Sequence, residues 1–306
     1  MSNRLQIPHL SPVKLVQQNL ATEAAYEFKH FDTWLFRDQI LSYQQDKPYY
    51  QKWQTSDTIK LPIVSSFGIP TVRLINCDQQ QVAVASVSAV SNNYYTAPDI
   101  YYQANLPLTG VAVGFYWVQV LVGPVTLISE PLMIAEAWEN SLLFTYSNAS
   151  NDFGIVFTGG RTFDFRCEAI IGEFTPGANE KVYEDQPANL IRLSSRPFRN
   201  FKLTIGDAYG VPDWVADKVN RIFSCDTVLL DGKAFVRADG AKMERNGDPL
   251  YPMAGWTMEL REAKARNGLI IDNNQVIDTE VTLFYIAETD LFGDSYTSDA
   301  IITKVE

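Results

Sequence analysis

The stretch "GFYWVQVLVG", Gly114 to Gly123, decides the fold class. Tyr116, Val118, Val120 and Val122 fall on one side of an extended chain, and Trp117, Gln119 and Leu121 on the other. That period of two belongs to a strand, not a helix. Glycine bounds the run at both ends. Upstream, "TIKLPIVSS", "TVRLINCD", "QQVAVASVSAV" and "IYYQANL" repeat the theme as short runs separated by Gly, Pro, Asn and Asp. Downstream, "TLISEPLMIAEAW" carries Pro131 inside it, which suits an edge strand or a strand-to-linker exit.

Residues 58–137 therefore read as one β-sandwich, resembling immunoglobulin or fibronectin type III modules in outline but without a Cys–Trp–Cys pattern. A second, larger β domain is expected over 138–306. "SLLFTYSNASNDFGIVFTG" reads as strand, loop, strand. "TFDFRCEAIIGEF" sets Phe163, Phe165 and Cys167 on one face against Asp164, Arg166 and Glu168 on the other, taken as the wet face. "TPGANEKVYEDQPAN" reads as a long loop of the kind that makes contacts, followed by strands broken at Pro197. Within this domain one amphipathic helix is predicted over 212–224. Pro212 and Asp213 suit its start, and Val215, Val219, Ile222 and Phe223 form one apolar stripe. Asp217 and Arg221 pair one turn apart on the outer side. Strands resume through "YPMAGWTMELREAK", then a hairpin around Asn273–Asn274. The overall expectation is a mainly β chain with two sandwich-like domains and one inserted helix.

Residues 1–57 read as an extended, partly helical arm, aromatic without a clean period. Such an arm buries its aromatics poorly by itself, so Trp34, Tyr49, Tyr50 and Trp53, together with Trp214 on the helix, are candidate contacts to a neighbouring subunit. The chain has 15 Tyr, 17 Phe and 6 Trp in 306 residues, a supply that favours both strands and interfaces.

The formal net charge is −11. From Asp272 to Glu306 there are eight carboxylates against Lys304 alone, a net of −7. With no Lys/Arg stripe, that field disfavours a nucleic-acid partner. No uncharged apolar span reaches membrane length. The opening "MSNRLQIPHLSPVKLV" lacks a basic-then-apolar leader, and Cys77, Cys167 and Cys225 read as three buried thiols in a reducing compartment.

Catalytic equipment is sparse. The two histidines, His9 and His30, lie in the arm, outside any nucleophile or metal motif. Glu168 and Glu173, or Glu184 and Asp185, are candidate acid and base for a β-fold glycoside hydrolase. Asp290, Asp294 and Asp299 lack the spacing of a calcium loop. Neither cofactor nor metal is expected. A carbohydrate- or receptor-binding module is the other alternative, with Tyr94, Tyr95, Tyr101 and Tyr102 as stacking platforms.

The segments "FDTWLFRDQILSYQQDKPYYQKWQTSDTIKLPI", "LISEPLMIAE", "VYEDQ", "GVPDWVADKVNRIF" and "YPMAGWTMELRE" resemble structural proteins of tailed phages and prophages of Bacteroidota-type bacteria. The resemblance implies a non-enzymatic virion component made in the host cytoplasm, whose partners are copies of itself and other virion proteins. It points first to a ring-forming distal tail or baseplate protein joining tail tube to tip, and next to a head–tail connector ring.

Overall fold

The computed structural model describes residues 4–17, 49–184, 190–206, 210–247 and 253–263. The chain divides into two compact units, Met1–Lys264 and Ala265–Glu306, and every described residue lies in the first. The hairpin expected at Asn273–Asn274, the acidic segment, His30, Trp34 and Asp185 lie outside the described residues. The fold is mainly β, as the alternating runs predict, with a single short helix among the described residues.

The first core is a two-sheet sandwich. One sheet runs β1 (Leu5–Gln6), β4 (Thr58–Ser65), β8 (Ile100–Pro107), β7 (Ser86–Ala89). The other is organised around β9 (Gly114–Val122). One edge of β9 pairs with β5 (Thr71–Ile75), which also holds β6 (Gln81–Val84). Its other edge is shared by β10 (Val125–Ser129), which pairs with β2 (Leu15–Gln17), and by β11 (Leu132–Ala135). A parallel strand, β3 (Gln51–Gln54), completes the sheet beside β11. Tyr116, Val118 and Val120 of β9 enter the core between the sheets with Ile59, Leu61, Ile63, Tyr102, Ala104 and Leu106. Trp117 packs on the opposite face with Ile75 and Ile128.

β3 and β2 correct the reading of residues 1–57 as an arm. Where the segment is described, it supplies strands to the sandwich. Trp53, inside β3, is fully buried in the sandwich core. The parallel pairing that puts it there is made with β11, far along the chain, and no local period announces it.

The second core is a barrel. β12 (Ser141–Ser147), β13 (Phe163–Glu184), β14 (Leu190–Ile205), β16 (Thr227–Leu230), β17 (Lys233–Arg237) and β19 (Met253–Glu262) pair in the cyclic order β13–β12–β16–β17–β19–β14–β13. Closure of this kind removes free sheet edges. β15 (Val211–Pro212) and β18 (Glu244–Asn246) add short pairings to β19. α1 (Asp213–Ile222) starts with Pro212 at its N-cap and Asp213 in its first turn. Its Val215, Val219 and Ile222 are completely buried among Phe144, Phe165, Leu203 and Leu260, and Asp217 meets Arg221 at 2.8 Å on the outer side. Just before the helix, Gly210 has φ +78°, and a Cβ there would stand 2.6 Å from the backbone of Ala254. Only glycine lets β15 approach β19 so closely.

A strap joins the two cores. Residues 4–17 cross both, burying Leu10 in the barrel core and Val13 in the sandwich core. Three consecutive strap carbonyls accept hydrogen bonds from three different elements. Tyr146 of β12 donates to Leu10, Lys218 of α1 to Ser11, and Gln51 of β3 to Pro12 at 2.9 Å.

Candidate functional site

β13 carries both of the molecule's distinctive surfaces. Near its start, the face expected to be wet looks instead onto the sandwich. Asp164 meets Lys60 at 2.7 Å, Arg166 meets Asp57 at 2.7 Å, and Glu168 meets Lys52 at 2.6 Å. The charges alternate in sign along β13 and are answered in the opposite order by β4, the β3–β4 turn and β3. This ladder is a seam whose Arg166–Asp57 and Glu168–Lys52 rungs are buried and whose Asp164–Lys60 rung is half-buried. Glu168 is one rung of it and faces a lysine, not a second carboxylate, so it does not fit the glycosidase role assigned from sequence. Each charge has its counter-ion, the condition under which buried ions persist.

Further along, β13 and β14 leave the barrel together. β14 last pairs with β19 at Asn200↔Arg261, and beyond it, among the described residues, β13 and β14 pair only with each other, out to Glu184↔Leu190. Ten residues of β14 lie past that point, roughly 30 Å of ribbon at strand rise. The expected loop "TPGANEKVYEDQPAN" is therefore a strand for most of its described length, and Pro197 is paired with Ala178 instead of breaking β14. Proline is tolerated because this part of β14 has no second neighbour among the described residues to receive its missing N–H. Gly177 is covered by the Phe198 ring across the ribbon, and the Arg261 guanidinium lies 3.8 Å from that ring's centre.

The ribbon exposes apolar residues toward its far end. Val182, Tyr183, Leu190 and Leu193 are each half exposed or more, and Leu190 reaches 72%. Val182 pairs with Arg192 and Glu184 with Leu190 on one face, while Tyr183 lies on the other. Apolar groups lie on both faces, and the described residues dry neither face. The signal missed in the sequence is "KVY" and "LIRL" on either side of a short Pro- and Asn-containing stretch, two paired runs hidden by Gly- and Pro-rich flanks.

The candidate contact residues read from sequence stand elsewhere. Tyr49 is buried in the barrel core, and burial raises its phenol well above its ordinary range. Tyr50 is half-buried against Phe115 and Trp138. Trp214 packs edge-on to Tyr49 and Phe165, beneath the ammonium groups of Lys14 and Lys218. Tyr49 and Trp53 are dry without any neighbour, because the chain's own cores receive them. Of the four tyrosine platforms, Tyr101 and Tyr102 are buried and only Tyr94 and Tyr95 reach solvent. Cys77 is exposed, unlike the expectation of three buried thiols, while burial raises the Cys225 thiol to about 12.

No protein-family model matches the chain, and no match was found among the curated proteins or the solved structures.

A second buried charge cluster lies beside the strap. Burial raises the Glu130 carboxyl above its ordinary range, opposed by Lys14 at 2.9 Å and by Lys218. Burial lowers the Lys218 ammonium to about 7, with Glu130 pulling the other way. Among the described residues no group of three His, Cys, Asp or Glu is placed to hold a metal ion.

Proposed function

We propose that this chain is a structural subunit that assembles with copies of itself through the β13–β14 ribbon. Taken with the phage-like sequence resemblance, the assembly is a ring, of the kind formed by a distal tail protein joining tail tube to tip. One observation carries the reading: a two-stranded ribbon of nine residue pairs beyond the barrel, with both edges unpaired among the described residues and Val182, Tyr183, Leu190 and Leu193 exposed. An isolated two-stranded ribbon is marginally stable in water, and open strand edges invite pairing with another chain. A neighbouring subunit would supply both the missing apolar contacts and the missing edge. Head-to-tail contacts of one kind close into a ring when the rotation between subunits permits it.

Light scattering coupled to size exclusion, with electron microscopy of the same fractions, tests this. The expected result is a rotationally symmetric oligomer, reduced to monomers by the combined changes Val182→Thr, Tyr183→Ser, Leu190→Thr and Leu193→Ser. The substituted residues lie outside both cores, so the thermal midpoint of the variant monomer should match that of the barrel and sandwich. A wild-type chain that stays monomeric at high micromolar concentration, or oligomers indifferent to the four changes, would overturn the proposal.

A further inference from the structure

The groove where the strap, the sandwich and the barrel meet has no role in ribbon-driven assembly. It encloses about 330 Å³ and is lined by Arg4, Gln6, His9, Tyr94, Phe153 and Arg221, with Tyr95 and Gly154 at its floor. That volume lies at the lower end of small-ligand sites. We propose that this groove binds a carboxylate-bearing saccharide of the uronic acid class, with the sugar ring on Tyr94 and its carboxylate on Arg4 and Arg221.

The platform is held from behind. Asn92 Oδ1 accepts from the backbone N–H groups of both Tyr94 and Tyr95, at 3.0 and 2.7 Å, which fixes the turn that presents them. Tyr95 stands edge-on to Tyr94 at 5.0 Å and stacks on buried Tyr101 at 5.9 Å. Its hydroxyl donates to the Gly154 carbonyl at 2.8 Å, tying the sandwich turn to the barrel loop. Tyr94 is left 46% exposed on this support, an aromatic ring ordered at little further entropic cost. The flat, C–H-rich face of a pyranose suits such a ring, while the Gln6 amide nitrogen, its oxygen already accepting from Arg4, offers a donor to sugar hydroxyls.

Charge selects the acidic sugar. In a chain of net charge −11, this groove gathers Arg4, Arg221 and His9. The carboxylates facing them are Asp99, 3.7 Å from Arg4, and Asp217, 2.8 Å from Arg221. Arg4 Nη2 donates to Gln6 Oε1 at 2.5 Å, but the contact of Nη1 with Asp99 is too long for a hydrogen bond, so Nη1 keeps its donors for a ligand carboxylate. Arg221 sits in the last turn of α1, where it offsets the negative end of the helix that would otherwise repel an anion.

Titration calorimetry on the full chain tests the inference, using a tetrasaccharide of alternating glucuronate and N-acetylglucosamine against the neutral tetramer of N-acetylglucosamine. Saturable binding of the acidic probe is expected, with no measurable binding of the neutral one. Tyr94→Ala and Arg4→Gln should each weaken it at least about fivefold, as central contacts do. Tyr94→Phe, which keeps the ring, should bind as wild type. Arg4 and Tyr94 are exposed, so all three variants should retain the wild-type thermal midpoint. No binding of the acidic probe at millimolar concentration, equal binding of both probes, or affinity unmoved by Tyr94→Ala would overturn it. Because the ribbon variant described above leaves the groove intact, it should bind the acidic probe unchanged. Failure of assembly and failure of binding are thus separately visible.

Discussion

Arg166 and Asp57 meet as a two-pronged ion pair across the boundary between barrel and sandwich, Nε to Oδ2 at 2.7 Å and Nη2 to Oδ1 at 3.0 Å. Arg166 also donates to Ser141 Oγ at 3.1 Å, and Asp57 accepts from the Gln54 backbone at 2.8 Å. Both side chains are almost wholly buried, so removing one partner strands the other in a dry site. Arg166→Met should lower stability by about 3 to 5 kcal/mol. The double variant Asp57→Leu with Arg166→Met should recover a large part of that loss, because two apolar groups leave no orphaned charge. A double-mutant cycle by urea denaturation measures the coupling. Additive losses would show that the pair is solvated after all.

Lys218 should make stability depend on pH from near neutrality upward. Its folded-state value of about 7 lies below the ordinary lysine value of 10.5. The unfolded chain therefore binds more protons than the folded one between those limits, and stability rises with pH there, the full cost being present below about 7. Between pH 6 and 8 the gain is on the order of 1 kcal/mol. Glu130 acts with the opposite sign: its raised value means its contribution is lost as pH rises through the folded-state pKa. Tyr49, Tyr146, Cys167 and Cys225, all raised by burial, act at more alkaline pH. Lys218→Met should flatten the rise between pH 6 and 8, read by denaturant midpoints at constant ionic strength. An unchanged slope would mean that another group titrates there.

Gly210 tests the close approach of β15 to β19. Gly210→Ala places a methyl group 2.6 Å from Ala254 backbone and asks an L-residue to hold φ +78°. The strain alone costs on the order of 1 to 3 kcal/mol, and backbone atoms have no rotamer by which to yield. Thermal unfolding should show a loss of at least about 2 kcal/mol. A neutral outcome would mean that β15 detaches without consequence for the helix that follows it.

These sites differ in how far the sequence discloses them. The period of two in "GFYWVQVLVG" and the stripe Val215, Val219, Ile222 and Phe223 are local patterns, and the structure places their sides as the patterns require. The alternation Asp164, Arg166, Glu168 likewise marks a polar face, but whether that face meets water or a second domain is not a local property. Three counter-charges at Lys52, Asp57 and Lys60 complete it from far along the chain. Trp53 is harder still, since its burial follows from parallel pairing with Ile134, a long-range register. In the ribbon, composition misleads: Pro176, Gly177 and Pro197 read as loop, yet they pair with Arg199, Phe198 and Ala178 in a strand that needs no second neighbour.

The strap predicts that the two cores lose protection together. Leu10 is completely buried in the barrel, Val13 is buried in the sandwich, and the carbonyls of Leu10, Ser11 and Pro12 between them are bound by Tyr146, Lys218 and Gln51. Leu10→Ala removes buried volume on the barrel side only and should cost about 2 to 5 kcal/mol. Because the same short segment carries β2 and Val13, its loosening should also admit solvent to the sandwich. Hydrogen exchange of native protein should therefore quicken in β8 as well as in β12, although β8 touches no atom that the substitution deletes. Val13→Ala should produce the converse, with faster exchange in β12. If each substitution quickened exchange only in its own core, the strap would be a passive filler and the seam of ion pairs alone would hold barrel and sandwich together.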